Sequence, residues 1–97
     1  MKVVRLDRRA RLDLREIWRY TAKTWDVRQA DKYLAAINDA IAHLADERKR
    51  ATNCDWIKRG YSRTKSGSHF LFMRFAGDEI HIARILHERM NFAAHLG

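Results

Sequence analysis

The sequence contains no proline, a single cysteine and only four glycines in 97 residues. The lone Cys54 cannot form an internal disulfide, and with no CxxC or Cys/His cluster there is no zinc site to build. One thiol suits a reducing compartment. No glycine-rich phosphate loop of the GxGxxG or GxxxxGK type occurs. The chain is also too short for a Rossmann or TIM scaffold, so no cofactor is expected. Its longest uninterrupted apolar run is Phe70-Leu71-Phe72-Met73, far below the ~20 residues of a membrane span. Residues Met1 to Arg5 carry no apolar segment of the secretory kind. Acid is scarce: 12 Asp and Glu face 20 Lys and Arg, for a net charge of +8. These absences leave a cytoplasmic protein of one domain, residues 1–97, with a 46% hydrophobic fraction adequate for a core. The positive charge favours a polyanionic partner: DNA, RNA or an acidic protein segment.

All four glycines lie at or beyond position 60, and the first half reads as helical. Val3 to Leu6 is a short first strand, with Asp7 as a cap for the first helix. Ala10, Leu14, Ile17, Trp18, Thr21 and Trp25 recur at helical spacing. Arg8, Arg9, Arg11, Arg15 and Arg19 fall mostly off that stripe, as a solvated face would. Asp26 with Gln29 resembles a capping box. A second stripe runs through Val27, Ala30, Tyr33, Leu34, Ile37, Ala40, Ile41, Leu44 and Ala45. The short connection predicts an antiparallel helix hairpin. Residues 46–57 read as loop. Tyr61 to Ser66, Phe70 to Phe75 and Glu79 to His87 read as strands, separated by turns at Gly67 and Gly77. The expected class is α+β, in the order β-α-α-β-β-β. The helix hairpin packs on one face of a small antiparallel sheet, and the other face is left partly open. Residues 88–97 form a tail with a short helix through Phe92 and Leu96.

Lys58, Arg59, Arg63, Lys65 and Arg74 occupy a stretch without acids, and Arg84, His87 and Arg89 extend it. On neighbouring strands ~4.8 Å apart, two or three of these can converge on a phosphate or carboxylate. Cleavage of RNA would need such cations together with proton-transfer groups, for which His69, His81 and His87 are available. His81 and His87 are six residues apart on one strand, too far to share a metal ion, and no metal site is expected.

Several motifs together resemble the ParE family of bacterial toxins, within the RelE/ParE superfamily of type II toxin–antitoxin systems. They are Ala10…Asp13-Leu14…Ile17…Tyr20, then Trp25 with Gln29-Ala30…Tyr33 and Ile41…Leu44-Ala45. They continue with Arg59-Gly60-Tyr61-Ser62-Arg63, Ser66-Gly67-Ser68-His69 and Phe72…Arg74. The most specific is Ile80…Ile82-Ala83-Arg84-Ile85-Leu86-His87-Glu88-Arg89-Met90-Asn91. The resemblance implies the same β-α-α-β-β-β fold and a toxin neutralised by a cognate ParD-like antitoxin. For the ParE branch it implies DNA gyrase as the target, inhibited by binding, with no catalytic residue. For the RelE branch it implies ribosome-dependent mRNA cleavage, with Arg63 and Arg84 stabilising charge and His87 moving a proton. The tyrosine usual near His87 is absent. The expected target surface is Arg63, His69, Arg74, Arg84, His87, Arg89, Met90 and Asn91. The antitoxin is expected to be acidic and to fold on binding, against Leu14, Trp18, Tyr33 and Ile37 and against the cations Lys58, Arg59, Arg63 and Arg74. One departure from the family stands out: the loop after the second helix lacks the usual proline and glycine. A third reading, from charge alone, is a basic nucleic-acid-binding module.

Overall fold

A computed structural model describes residues 3–46 and 50–97. Its elements are β1 (Val3–Leu6), α1 (Arg8–Thr24), α2 (Val27–Asp46), β2 (Thr52–Asn53), β3 (Ser62–Ser66), β4 (His69–Ala76), β5 (Glu79–His87) and α3 (Phe92–Leu96). The strands form one sheet in the order β1-β5-β4-β3-β2. The α+β class and the β-α-α-β-β-β order are as the sequence indicates, with two amendments: a two-residue strand, β2, joins the edge of the sheet, and the sheet is mixed. β1 runs parallel to β5, pairing Val3 with Glu79 through Leu6 with Ile82. Between them in the chain lie the helix hairpin and strands β2 to β4, a connection long enough to bring β5 back beside β1 in the same direction.

The hairpin covers one face. Ala10 and Ile17 of α1 join Ile37 and Leu44 of α2 against Leu71, Met73, Ile80, Ile82 and Ile85 of the sheet. These helix residues recur at the predicted spacing because only that stripe can reach the sheet. The two helices are joined by Trp25 and Asp26 alone, and the Asp26 carboxylate caps α2 by accepting the Gln29 N–H at 2.7 Å. Three sequence expectations need correction. Trp25 and Val27 are not core: they sit at the hairpin tip, 73% and 55% exposed. Asp7 holds the N-cap position of α1 without a side-chain cap bond. Its carboxylate turns instead to Arg74, at 3.2 Å.

The far face is less open than expected. Phe72, Leu86, Cys54 and Leu96 make a second buried cluster, with Ile57, Tyr61, Phe70 and Phe92 packed around it. It is roofed by α3 and by the segment from Cys54 to Tyr61. The stretch 46–57 is therefore not simply loop. Residues 47–49 lie outside those described, but Thr52 and Asn53 pair with Arg63 and Ser62. Burial pushes the Cys54 thiol above its ordinary value, as expected of an inert core cysteine.

Both strand turns place a glycine at positive φ, at 58° for Gly67 and for Gly77. This is the first central position of a two-residue hairpin. They differ in surroundings. A Cβ on Gly67 would lie 2.7 Å from the Tyr33 hydroxyl and 2.8 Å from its ring, whereas one on Gly77 meets nothing. Gly77→Ala is expected to cost about 1–2 kcal/mol for the left-handed backbone alone. Gly67→Ala adds a steric cost of about 1–3 kcal/mol. Urea unfolding of the two variants measures the difference, and equal midpoints would contradict this packing of Tyr33.

Candidate functional site

Three constellations concentrate the chemistry. The first is on the far face, where pleat alternation sends Arg63 of β3 to the same side as Phe70 and Phe72 of β4. The Arg63 guanidinium lies 4.2 Å above the Phe70 ring, 5.1 Å from Trp56 and 6.0 Å from Phe92. Phe92 packs on Phe70 and Phe72 at 5.6 and 5.0 Å. A cation held by aromatic faces is positioned without being neutralised. Around it stand Lys65, in an exposed pair with Glu88 at 3.4 Å, and Arg74, 5.8 Å from the Tyr61 ring. Lys58 donates to the Leu96 carbonyl and ties the 54–61 segment to α3. Arg59 is exposed beside it.

The second constellation binds α1 to the sheet. β1 accompanies β5 only as far as Ile82, and past that point no described strand covers the outer edge of β5. Asp13 substitutes for one. Its carboxylate accepts the Ile85 N–H at 2.9 Å and a two-pronged bond from Arg84, Nε at 2.8 Å and Nη2 at 3.0 Å. The remaining arm, Nη1, donates to the His95 carbonyl at 3.1 Å. Only 14% and 15% of these two side chains is exposed. The bond from Asp13 raises Arg84 above its ordinary pKa. Arg84 is thus engaged on all three nitrogens in joining α1, β5 and α3.

The third lies on the helix side. The Tyr33 hydroxyl accepts the Ser68 N–H at 2.9 Å and is 2.6 Å from His69 Nδ1. Its one proton has two acceptors within reach, His69 Nδ1 and the Ser66 carbonyl at 3.5 Å, and either way the hydroxyl ties the turn between β3 and β4 to α2. The His69 and His87 rings meet edge to face at 5.2 Å. Burial, aided by His87, lowers the His69 pKa from its ordinary 6.5. A histidine whose neutral form is favoured by folding contributes fully above its unfolded pKa, and that contribution is lost as the pH falls below it. Stability should therefore decline on acidification below about pH 6.5, and His69→Gln should flatten that part of the profile. An unchanged acid slope in the variant would place the loss elsewhere. Beside these rings a groove of about 500 Å³ opens between α1 and the end of β5, lined by Ile17, Tyr20, Ile85, Leu86 and Met90.

The expected site residues divide among these places. Arg63 and Arg74 share the far face; His69, His87 and Met90 border the groove. Arg89 is exposed, its N–H on His87 Nδ1 at 3.2 Å. Asn91 caps α3 by accepting the Ala94 N–H. Of Arg63, Arg84 and His87, the trio expected of a nuclease, the register sets the two arginines on either side of Phe72, but the Arg84 guanidinium is held by Asp13 and His87 borders the helix-side groove. The expected hairpin anchors also need amendment. Ile37 is wholly buried and Leu14 packs on the same core, because that stripe is already spent on the sheet. Trp18 gives its indole N–H to Asp31 at 2.9 Å. The large apolar side chains that α1 and the hairpin tip do expose are Leu12, Tyr20, Trp25 and Val27. Sequence reasoning missed the roles of Trp56 and Asp13. Trp56 sits in a polar stretch with no period, and nothing local marks Asp13 as the partner of a residue 71 positions away.

Known proteins share this pattern. The family model described as ParE toxin of type II toxin–antitoxin system, parDE, matches residues 4–92. Toxin ParE1 of Caulobacter vibrioides is 40% identical over 97 residues, covering all of both chains. Toxin ParE1 of Mycobacterium tuberculosis is 40% identical over 83 residues, covering 84% of this chain and 85% of its own. The solved chromosomal ParDE system from P. aeruginosa has the same fold, with a TM-score of 0.79 at 20% identity, over 90% of this chain and 96% of the other.

Proposed function

Since the chain belongs to the ParE family of toxins of type II toxin–antitoxin systems, we propose that it arrests growth by binding DNA gyrase in the cytoplasm, without bond chemistry of its own. The observation that carries this reading is the far face. Trp56, 66% exposed, and Arg63 stand on a rigid aromatic base. Tryptophan and arginine are the residue types that dominate protein-binding hot spots. The runner-up, mRNA cleavage, would need Arg63, Arg84 and His87 around one phosphodiester. The placement of His87 on the helix side, and the commitment of Arg84 to Asp13, favour the binding reading.

Neutralisation then requires an acidic, ParD-like antitoxin that folds on this surface. Apolar anchors would enter the groove beside Tyr20 and Met90, where the exposed apolar surface of α1 adjoins the end of β5. Carboxylates would cover Arg59, Arg63 and Arg74, masking the cations that the target needs. Electrostatic complementarity of this kind speeds encounter and selects the partner.

The test is a plasmid supercoiling assay with purified gyrase and purified protein, run with and without ATP. Lost supercoiling supports the reading. Unchanged supercoiling by protein that still stops growth would overturn it, and cleaved mRNA in a translation reaction would then establish the runner-up.

A further inference from the structure

The arginines of α1 lie outside the core, and only Arg8 and Arg9, at its start, border the far face beside Tyr61 and Leu96. We propose that they form a ridge that grips the phosphate backbone of a nucleic-acid duplex. Arg8, Arg11, Arg15, Arg19 and Lys23 are all exposed. At 100° per residue they fall within an arc of about 120°, and at 1.5 Å per residue they extend over ~22 Å. The last four succeed one another at i, i+4, each step ~6 Å along the helix.

What sets this ridge apart from an ordinary solvated face is that its counter-charges are drawn away. The Asp7 carboxylate turns to Arg74 and that of Asp13 to Arg84 and the Ile85 N–H. Glu16 touches Arg19 at 3.2 Å, but the two side chains are 70% and 63% exposed, a pairing worth little against solvent and salt. Arg11 gives Nε to the Leu6 carbonyl at 3.3 Å, which leaves its outer nitrogens free to donate. Among the described residues Arg8, Arg15 and Lys23 have no ion pair. The ridge is thus a row of cations on a rigid rod, mostly guanidinium forks, which match phosphate oxygens two at a time.

The neighbouring residues select the class of ligand. An acidic peptide would need apolar anchors among the charges, and the arc offers only Leu12 and Ala22. A single strand would need aromatic platforms for its bases. Tyr20 lies about 120° round the helix from Arg8, facing the groove, Trp18 is turned to Asp31, and the exposed Trp25 stands alone at the hairpin tip, past the last cation of the row. A duplex asks for neither. Its rigid, regularly charged backbone is recognised by cations alone, without regard to sequence.

The test is fluorescence anisotropy of a labelled 30-base-pair DNA of arbitrary sequence titrated with the intact protein. Four or five phosphate contacts predict that affinity falls roughly 150- to 500-fold between 50 and 200 mM salt. Arg15→Glu with Arg19→Glu should weaken binding more than 10-fold and flatten the salt slope by about two contacts. Arg15→Gln with Arg19→Gln should act in the same direction, without placing new acids on the helix. Arg28→Glu with Lys32→Glu removes the same net charge from exposed positions of α2 and should have much the smaller effect. Equal losses for the α1 and α2 glutamate pairs would mean a response to net charge only and would overturn the proposal. So would a salt slope of less than two contacts, or displacement of the duplex by polyglutamate at equal charge concentration. No gyrase enters this measurement, so its outcome is separate from that of the proposed target.

Discussion

Replacing Asp13 by alanine is expected to lower the unfolding free energy by about 2–3 kcal/mol, the cost of leaving charge-assisted hydrogen bonds unmade at a largely covered site. A domain of this size has roughly 5–10 kcal/mol to lose. The reason lies at the edge of β5. Without the Asp13 carboxylate, the Arg84 guanidinium keeps one bond, to the His95 carbonyl, and the Ile85 N–H loses its acceptor at an edge that β1 does not reach. Arg84→Ala should fail for the same reason, though less severely, since Asp13 retains the Ile85 N–H. A matched apolar pair, Asp13→Leu with Arg84→Met, should recover part of the loss, as such replacements often do. Urea midpoints decide this. If Arg84→Ala kept the wild-type midpoint yet abolished growth arrest, Arg84 would be a target contact and its structural role would be refuted.

The opposite pattern is expected on the far face. Trp56→Ala with Arg63→Ala should raise the concentration needed to inhibit gyrase by roughly 100-fold or more, the range of a paired hot spot. Stability should change far less. Trp56 is mostly exposed, and Arg63 lies above Phe70 and Phe92 without bridging two elements by hydrogen bonds. The Phe70–Phe72–Phe92 packing beneath remains. Loss of toxicity with retained fold at Arg63, and loss of fold at Arg84, would separate contact from scaffold in two arginines that look alike in the sequence.

How far the sequence itself reveals these differences depends on the reach of each interaction. The helix stripes of Ala10, Ile17, Ala30, Ile37 and Leu44 are legible because periodicity is local and only one face can be buried. The glycine turns at 67 and 77 are legible because a two-residue hairpin needs positive φ. The parallel pairing of Val3–Leu6 with Glu79–Ile82 is not, since no short-range signal sets the partner of a first strand. The roof over Phe72 and Leu86 is hidden for the same reason: α3 is five residues long and is fixed by Phe92, Leu96 and the Lys58 bond. Asp7 looks like a cap by its position, but Arg74, 67 residues away, takes its carboxylate. At the site, the cations can be named from the sequence but not sorted. Whether an arginine is offered to a partner or locked into the scaffold depends on what reaches it from outside its own strand pair: Arg63 and Arg84 both pair with Phe72, but only Arg84 meets a carboxylate, that of Asp13 in α1.

The most direct test of the central claim is the binding of purified gyrase to immobilised wild-type protein and to the Trp56→Ala/Arg63→Ala variant, both confirmed folded by matching urea midpoints. Saturable binding by the wild type and a loss of roughly two orders of magnitude in the variant is the predicted result. Equal affinity of the two proteins, or no gyrase binding by a wild type that arrests growth, would contradict it.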